Sequence, residues 1–270
     1  MLRTRILTAA VLACLLLGGL FLLPASWAVF GFGAVFTIGA WEWGGFGALR
    51  GIAPRGAYAA GVALLLLLAW RWTADREHLL LLLRAACLWW LIALLWLSLA
   101  PSRHRPALAL LCGLPVLVPA FVSLARLDAG SGGPARGPVL VLWLVLLVIA
   151  ADIGAYFAGR NFGRRKLAPR VSPGKTWEGA LGGLLMVLLV AWAGAAHFGL
   201  SVPSTLAFGC AVGIFSIIGD LTESMFKRAA GLKDSGVLLP GHGGLLDRID
   251  SVTAAAPLYA LGLFGSGVIP

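Results

Sequence analysis

The chain has few charged residues and very few acidic ones. Only 12% of its 270 residues are charged, and just 11 residues are Asp or Glu, whereas 60% are hydrophobic. A mean hydropathy of +0.94 excludes an ordinary water-soluble globular domain. The net charge of +10 does not indicate a nucleic-acid partner, because nucleic-acid-binding proteins are not this apolar. Anionic lipid head groups or phosphorylated substrates fit the basic residues better.

Paired cysteines and β-strand alternation are also missing. Cys14, Cys87, Cys112 and Cys210 each lie singly in an apolar run, without a CxxC or Cys/His partner, so neither a zinc site nor a disulfide framework is indicated. The alternating pattern of a β-barrel is absent as well. Apolar runs near 20 residues recur instead, and helices satisfy their own backbone groups in lipid, so the sequence predicts an all-α, polytopic integral membrane protein.

Nine segments are predicted to span the membrane. They lie at about 6–23, 26–45, 57–71, 79–99, 107–124, 138–158, 180–198, 205–223 and 251–267. With the N-terminus in the cytoplasm, sixteen Lys and Arg residues fall in inside segments and four in outside loops. This bias predicts a cytoplasmic N-terminus and a multi-pass protein of the cell (inner) membrane. A signal peptide cleaved near Ala28 is the alternative, but a retained first helix is preferred because further spans follow at once.

Acidic residues concentrate in the C-terminal half. We therefore divide the chain into N-terminal transmembrane helices (1–137) and a C-terminal catalytic region (138–270) with cytoplasmic loops 159–179 and 224–250. Five of the eleven acids fall between positions 220 and 250, namely Asp220, Glu223, Asp234, Asp247 and Asp250. Because charge is costly in a membrane protein, this cluster predicts an active site at the cytoplasmic side of the C-terminal half.

The end of the eighth span carries polar residues at helical spacing. Asp220, Glu223, Ser224 and Lys227 lie at i, i+3, i+4 and i+7, so a continuing helix presents them on one face. A carboxylate at mid-membrane costs roughly 2.5–3.5 kcal/mol on insertion scales and normally faces a partner or a wet cavity. The alternative is an Asp220–Lys227 ion pair that only ends the helix.

The following loop combines glycine, base and acid. Lys233, Asp234 and the run Pro240–Gly244, which includes His242 and Gly243, could let backbone amides approach an oxyanion. Asp247 and Asp250 follow at i, i+3 around Arg248. Together with Asp220, they could bind Mg²⁺ through carboxylate and substrate phosphate oxygens. A hydrolytic carboxylate pair and a solvated helix start are the alternatives.

The sixth span and the loop after it offer further candidates. Asp152 and Tyr156 lie one turn apart near the inside end of the span. The loop carries Lys166, and then Ser172, Gly174, Lys175 and Thr176, which would suit an anionic head group or nucleotide phosphates. It lacks the GxxxxGK[ST] spacing and a preceding strand, so it is not a P-loop. A loop whose bases serve only to orient the protein is the alternative.

Residues 224–250 resemble the C-terminal signature of the phosphatidate cytidylyltransferase (CDP-diacylglycerol synthase) family. The resemblance extends over about 150–258, while the first 150 residues agree only in being apolar and multispan. The signature positions matched are Ser224, Lys227, Arg228, Lys233, Asp234, Gly236, Pro240, His242, Gly243, Gly244, Asp247, Arg248 and Asp250.

The resemblance implies a Mg²⁺-dependent enzyme that converts CTP and phosphatidate into CDP-diacylglycerol and pyrophosphate without a covalent enzyme intermediate. It makes Asp220, Lys227, Asp247 and Asp250 the expected catalytic residues, with Asp220, Asp247 and Asp250 as metal ligands and Asp152 in support. A homodimer is also implied. Expected substrate-binding residues are Lys166, Ser172, Lys175, Thr176, Ser224, Arg228, Lys233, Asp234, His242, Gly243, Gly244 and Arg248.

Three other functions remain open from the sequence. The first is a CTP-dependent transferase acting on an ether lipid or a polyprenol, since substrate pocket shape cannot be read from sequence. The second is an ion-coupled transporter using Asp152, Asp220 and Asp247, although these acids lie towards one side of the membrane rather than through it. The third is an inactive scaffold, which the intact signature disfavours.

Overall fold

A computed structural model describes residues 2–100, 105–130, 136–198, 201–266 and 269. Nine α-helices lie within these ranges, together with one two-stranded hairpin and a 3-10 turn at Leu246–Arg248. The helices are α1 (Leu2–Phe21), α2 (Ala25–Trp43), α3 (Ile52–Trp72), α4 (Arg76–Leu99), α5 (Pro106–Gly130), α6 (Arg136–Phe162), α7 (Trp177–Phe198), α8 (Val202–Ala229) and α9 (Asp250–Gly265); the strands are β1 (Lys166–Ala168) and β2 (Ser172–Thr176).

The helices confirm the prediction of an all-α, polytopic membrane protein. Six of them, α3 to α8, are long and apolar enough to cross a membrane in the part of the chain that the structure describes. Several boundaries differ from the prediction. The third helix begins at Ile52 rather than near residue 57, and the eighth continues to Ala229 rather than ending near 223. Both extensions carry charged side chains, Arg55 in α3 and Lys227 and Arg228 in α8, which lower the hydropathy although Lys and Arg continue a helix readily.

Helices α5 and α9 form the centre of the bundle. Helix α5 packs against α2, α6 and α9, and α9 also packs against α4 and α8. The run Ala254–Ala256 of α9 is fully buried, and its small side chains allow α8 to approach closely. The predicted N-terminal region and the predicted catalytic region therefore share one helix bundle, and α2 and α5 contact the elements that carry the site.

Helices α6 and α7 form the closest pair. A Cβ at Gly154 would collide with the carbonyl oxygen of Gly182, and one at Gly183 would collide with that of Ala151. Only glycine allows the two backbones to lie this close, as is common where helices pack in membranes. This contact brings Asp152 on α6 next to the loop that leads into α7.

The hairpin within loop 159–179 was not predicted. Strands β1 and β2 are antiparallel, with Lys166 opposite Thr176 and Ala168 opposite Ser172. Val171, at the turn, is buried, and the amide of Trp177 donates to the carbonyl of Arg165. Five residues including Pro and Gly have no strand periodicity, so this element depends on contacts with the helices around it. It holds Lys175 over the end of α8.

Candidate active site

A cavity of about 380 Å³ opens between α6, β2, α7, α8 and the first turn of α9. Its lining joins residues that are far apart in the chain. The polar lining residues are Asp152, Tyr156, Arg160, Lys175, Thr176, Ser216, Asp220 and Ser251. Four of them, Asp152, Lys175, Thr176 and Asp220, were predicted site residues, and the structure brings these together at one end of the helix bundle.

Asp220 and Lys175 form an ion pair inside this cavity. Asp220 also accepts a hydrogen bond of 3.3 Å from Ser224 Oγ, one turn further along α8. The side chains of Lys175 and Asp220 are 29% and 23% exposed, so the pair remains accessible to solvent and to a ligand. The alternative Asp220–Lys227 pair is wrong, because Lys227 contacts other carboxylates.

Two further acids face Asp220. Asp152 on α6 and Asp250 at the start of α9 each lie within electrostatic range of it. Asp250 accepts a hydrogen bond of 2.7 Å from the amide of Ser251, which orients its carboxylate at the helix N-terminus. Like charges at short range repel, and positive charges offset this repulsion here: Lys175 lies within range of Asp152 and Asp250, Arg248 within range of Asp152, and Lys227 within range of Asp250. The three carboxylates therefore offer oxygen ligands for a divalent cation, beside basic side chains that could hold phosphate oxygens.

Lys227 lies in a buried ion-pair cluster beside the cavity. Its Nζ is 3.1 Å from Glu223 Oε1 and 2.7 Å from Asp247 Oδ1. Because the three side chains are at most 10% exposed, Lys227 neutralises two acids that are largely removed from water. The structure places this expected catalytic residue between carboxylates rather than in the cavity wall.

Asp247 organises the glycine-rich loop. Its Oδ2 accepts hydrogen bonds from the amides of Ser235 (2.9 Å) and Gly244 (2.8 Å), and its Oδ1 accepts one from Lys227. Burial acts to raise the pKa of Asp247. The hydrogen bond and positive charge of Lys227 and the two amides outweigh burial and hold that pKa below its usual range. The carboxylate therefore stays ionised and closes the loop from 235 to 244.

Glu42 in α2 contacts the same loop from the other side. Its carboxylate accepts hydrogen bonds from Ser235 Oγ, Leu245 N and Leu246 N, and its residue is only 4% exposed. Glu42 lies within the predicted second span (26–45), and no role was predicted for it. A lone acid in an apolar segment was the signal that could have identified it.

The other predicted substrate-binding residues occupy varied positions. Thr176 is buried, and its Oγ1 accepts from the amide of Gly179 as a cap of α7. His242 and Gly243 form the turn that closes the loop, with Leu239 N donating to Gly243 O. Gly244 is buried between Ser235 and Glu42, and Ser172 is half-buried in β2. Exposed residues around these elements are Lys166, Arg228, Lys233, Asp234 and Arg248.

Arg160 and Tyr156 at the cavity rim were not predicted to bind substrate. The Arg160 guanidinium donates to Tyr156 Oη at 2.9 Å, which holds it one helical turn from the aromatic ring. Both side chains are exposed. In the sequence this arginine was counted only among the residues that set topology, since nothing there distinguishes it from Arg164 or Arg165.

The acids around the cavity suit Mg²⁺, which binds few protein ligands, better than a metal ion that is held entirely by protein side chains. Among the described residues, no group of three or more His, Cys, Asp or Glu side chains forms a ready-made metal centre. Mg²⁺ usually takes one or two carboxylates and completes its ligands with water and substrate phosphates. Asp152 and Asp220 in the cavity lining, and Asp250 within electrostatic range of Asp220, provide carboxylates of that kind beside basic residues.

Comparison with known proteins agrees with this geometry. The model of the Cytidylyltransferase family matches residues 3–264. The phosphatidate cytidylyltransferase of Pseudomonas aeruginosa is 45% identical over 277 residues, covering 99% of this chain and 98% of the relative. That of Haemophilus influenzae is 41% identical over 283 residues, covering 96% and 98%, and that of Brucella suis is 38% identical over 275 residues, covering 98% and 93%. The similarity thus extends well beyond residues 150–258, and the chain belongs to the cytidylyltransferase family.

Proposed function

We propose that the protein is a phosphatidate cytidylyltransferase, which forms CDP-diacylglycerol and pyrophosphate from CTP and phosphatidate in phospholipid biosynthesis. The observation that carries the proposal is the family match, which extends from residue 3 to residue 264. In the same chain, acidic and basic side chains line a cavity at one end of a bundle of membrane helices. Carboxylates suit a divalent cation and the basic residues suit phosphate oxygens, as nucleotidyl transfer requires.

All nine helices cross the cell inner membrane in this proposal, with the N-terminus and the active site in the cytoplasm. Three long-range contacts support placing the predicted inside ends together: Thr8 Oγ1 donates to Pro240 O, Glu42 binds the 235–246 loop, and Lys175 pairs with Asp220. The predicted outside ends also meet, since Arg76 at the start of α4 donates to the carbonyl of Phe264 near the end of α9. A cytoplasmic site gives direct access to CTP.

The proposed reaction is a direct displacement. A phosphate oxygen of phosphatidate attacks the α-phosphorus of CTP; a new P–O bond forms while the bond from that phosphorus to the α–β bridging oxygen breaks, and pyrophosphate leaves. Such a transfer depends on positioning and on neutralising charge, so no enzyme nucleophile is required. Lys175 lies in the cavity wall and could hold a phosphate oxygen once Asp220 binds the metal ion instead of Lys175. Lys233 and Arg248 are exposed on the loop before α9 and could bind further phosphate oxygens.

Mg²⁺ is the proposed cofactor, with Asp220 and Asp250 as ligands and Asp152 in support. When bound, it would neutralise charge on the phosphates and on the leaving pyrophosphate. Asp220 would release Lys175, which then becomes available to substrate. Asp247 remains a candidate ligand, but its carboxylate would first have to release Lys227 or an amide donor.

The lipid would enter from the bilayer past α6 and α7. Arg160 and Tyr156 form the polar rim of the cavity, while Phe157, Trp177 and Leu181 beside them are exposed and apolar. A diacyl chain could remain against this apolar surface while its phosphate reaches Arg160 and Lys175. Arg160→Gln is therefore expected to raise KM for phosphatidate more than KM for CTP.

The direct test incubates the purified protein with labelled CTP, Mg²⁺ and one lipid at a time. We expect CDP-lipid and equimolar pyrophosphate with phosphatidate, and little product with an ether-lipid analogue or a polyprenyl phosphate. Preferred use of either alternative lipid would change the substrate assignment. Absence of nucleotidyl transfer, accompanied by ion flux in proteoliposomes, would replace the enzyme by a transporter. We also propose a homodimer, which chemical crosslinking in native membranes would test.

A further inference from the structure

Glu42 is a buried acid that the reaction itself does not use. It is the next-to-last residue of α2, and it is 4% exposed. An isolated carboxylate in such a place is costly unless it is paired or well hydrogen-bonded. Among the described residues Glu42 forms no ion pair with Lys or Arg, and the hydrogen bonds that it accepts come from the loop that precedes α9.

The three donors come from both ends of that loop. Ser235 Oγ donates to Oε2 at 3.0 Å from the beginning of the loop. Leu245 N donates to Oε1 at 3.0 Å and Leu246 N to Oε2 at 2.7 Å from its end. A carboxylate can accept all of these at once, so Glu42 holds together two backbone segments that are ten residues apart in the sequence.

Two glycines of the loop, Gly236 and Gly244, lie against the Glu42 carboxylate. A Cβ at Gly236 would collide with Glu42 Oε1, and a Cβ at Gly244 would collide with Glu42 Oε2 and Ser235 Oγ. Glycine at these two positions lets the backbone close around Glu42. The loop and α2 are therefore complementary in shape as well as in hydrogen bonding.

Asp247 binds the same two segments from the opposite side. Its Oδ2 accepts from Ser235 N and Gly244 N, while Glu42 accepts from Ser235 Oγ and from the amides that follow Gly244. Movement of the loop away from Glu42 would displace both amide donors of Asp247. It would also move the 3-10 turn that leads to Asp250, because Leu246 begins that turn.

We propose that Glu42 is a positioning residue: it ties α2 to the 235–246 loop and thereby fixes Asp247, Arg248 and Asp250 for CTP binding. This inference deepens the proposed function and rests on it for its kinetic consequence. The lipid rim at Arg160 and Tyr156 lies on α6 rather than on the loop, so the proposal assigns the effect of Glu42 to the nucleotide rather than to the lipid.

Glu42→Gln is a sharp test because Gln cannot replace the carboxylate. Its single carbonyl oxygen can accept from one amide, and its NH₂ group would then face the other N–H. We expect KM for CTP to rise about tenfold, as for one buried amide left unpaired, with KM for phosphatidate within about twofold of wild type. Glu77→Gln is the matched control, since Glu77 is exposed in the first turn of α4.

Hydrogen exchange supplies a readout independent of turnover. In the full-length protein without substrates, the amides of Leu245 and Leu246 should exchange faster in Glu42→Gln and at the wild-type rate in Glu77→Gln. Unchanged protection of these amides, or equal changes in KM for both substrates, would overturn the proposal. If wild type formed no CDP-lipid, the proposed function would fail, while the exchange result would still decide whether Glu42 holds the loop.

Ser235→Ala covers the case in which Glu42→Gln does not fold. It removes one donor to Glu42 and leaves the backbone amides of Leu245 and Leu246 in place. We expect faster exchange in the loop and a rise in KM for CTP in the same direction as for Glu42→Gln but smaller. Wild-type exchange together with a wild-type KM for CTP would contradict the proposal.

Discussion

Replacing Lys227 by Met would remove the positive charge that joins Glu223 and Asp247. The two carboxylates approach Lys227 Nζ at 3.1 Å and 2.7 Å, and all three side chains are at most 10% exposed. Removing one partner from a buried ion pair costs about 3–5 kcal/mol, because the remaining charge is left without compensation. At about 1.4 kcal/mol per factor of ten, the folded population relative to the unfolded one would fall about a hundredfold to several-thousandfold.

Reversible unfolding in detergent measures this loss of free energy. Lys233→Met is the matched control, since Lys233 is exposed on the same loop and its removal should change the free energy of unfolding by about 0.5 kcal/mol or less. Adding Glu223→Gln to Lys227→Met should recover part of the loss by removing one of the two uncompensated acids. Equal stabilities of Lys227→Met and Lys233→Met would refute the reasoning that Lys227 compensates two buried carboxylates.

Three further predictions concern the cavity and its loop. Asp220→Asn should lower turnover by a factor of about a hundred or more, because it removes a proposed metal ligand. The free energy of unfolding should change by about 1 kcal/mol or less, because the pair of Asp220 with Lys175 is partly exposed. Near wild-type turnover would remove Asp220 from the reaction. Gly244→Ala should lower the free energy of unfolding by about 1–3 kcal/mol, because a Cβ there meets Ser235 and Glu42. Gly61→Ala on α3 is the control, since a Cβ there meets no other atom within 4 Å. Equal unfolding curves for Gly244→Ala and Gly61→Ala would contradict the packing argument. Chelation of divalent cations should abolish CDP-lipid formation and added Mg²⁺ should restore it, whereas full activity in chelator would exclude the proposed cofactor role.

The amino-acid pattern was sufficient for the fold class, although it did not predict the β1–β2 hairpin. Long apolar runs and the absence of strand alternation predicted an all-α membrane protein, and the structure contains six helices long and apolar enough to cross a membrane in its described residues. The spacing of Asp220, Glu223, Ser224 and Lys227 predicted a helix that continues past the apolar run, and α8 does so as far as Ala229. Hydropathy could not locate that end, since Lys227 and Arg228 lower it although they continue the helix.

Pairing among charged residues could not be read from spacing. The i, i+7 separation of Asp220 and Lys227 was compatible with an ion pair, but neighbouring elements offer each residue another partner. Lys175 reaches Asp220 from a hairpin 45 positions earlier, and Asp247 reaches Lys227 from 20 positions later. Electrostatic attraction depends on distance in space and on burial, neither of which follows from separation along a chain.

The sequence by itself determined the class of fold, the region of the chemistry and, through residues 224–250, the family. Only the tertiary structure decided which acids face the cavity, and it placed Asp152 and Asp220 there while enclosing Lys227 between Glu223 and Asp247. It also revealed Glu42, about two hundred residues from the loop that it holds. The physical reason is that helix periodicity and signature spacing are local properties, whereas the site is formed where distant helix ends meet.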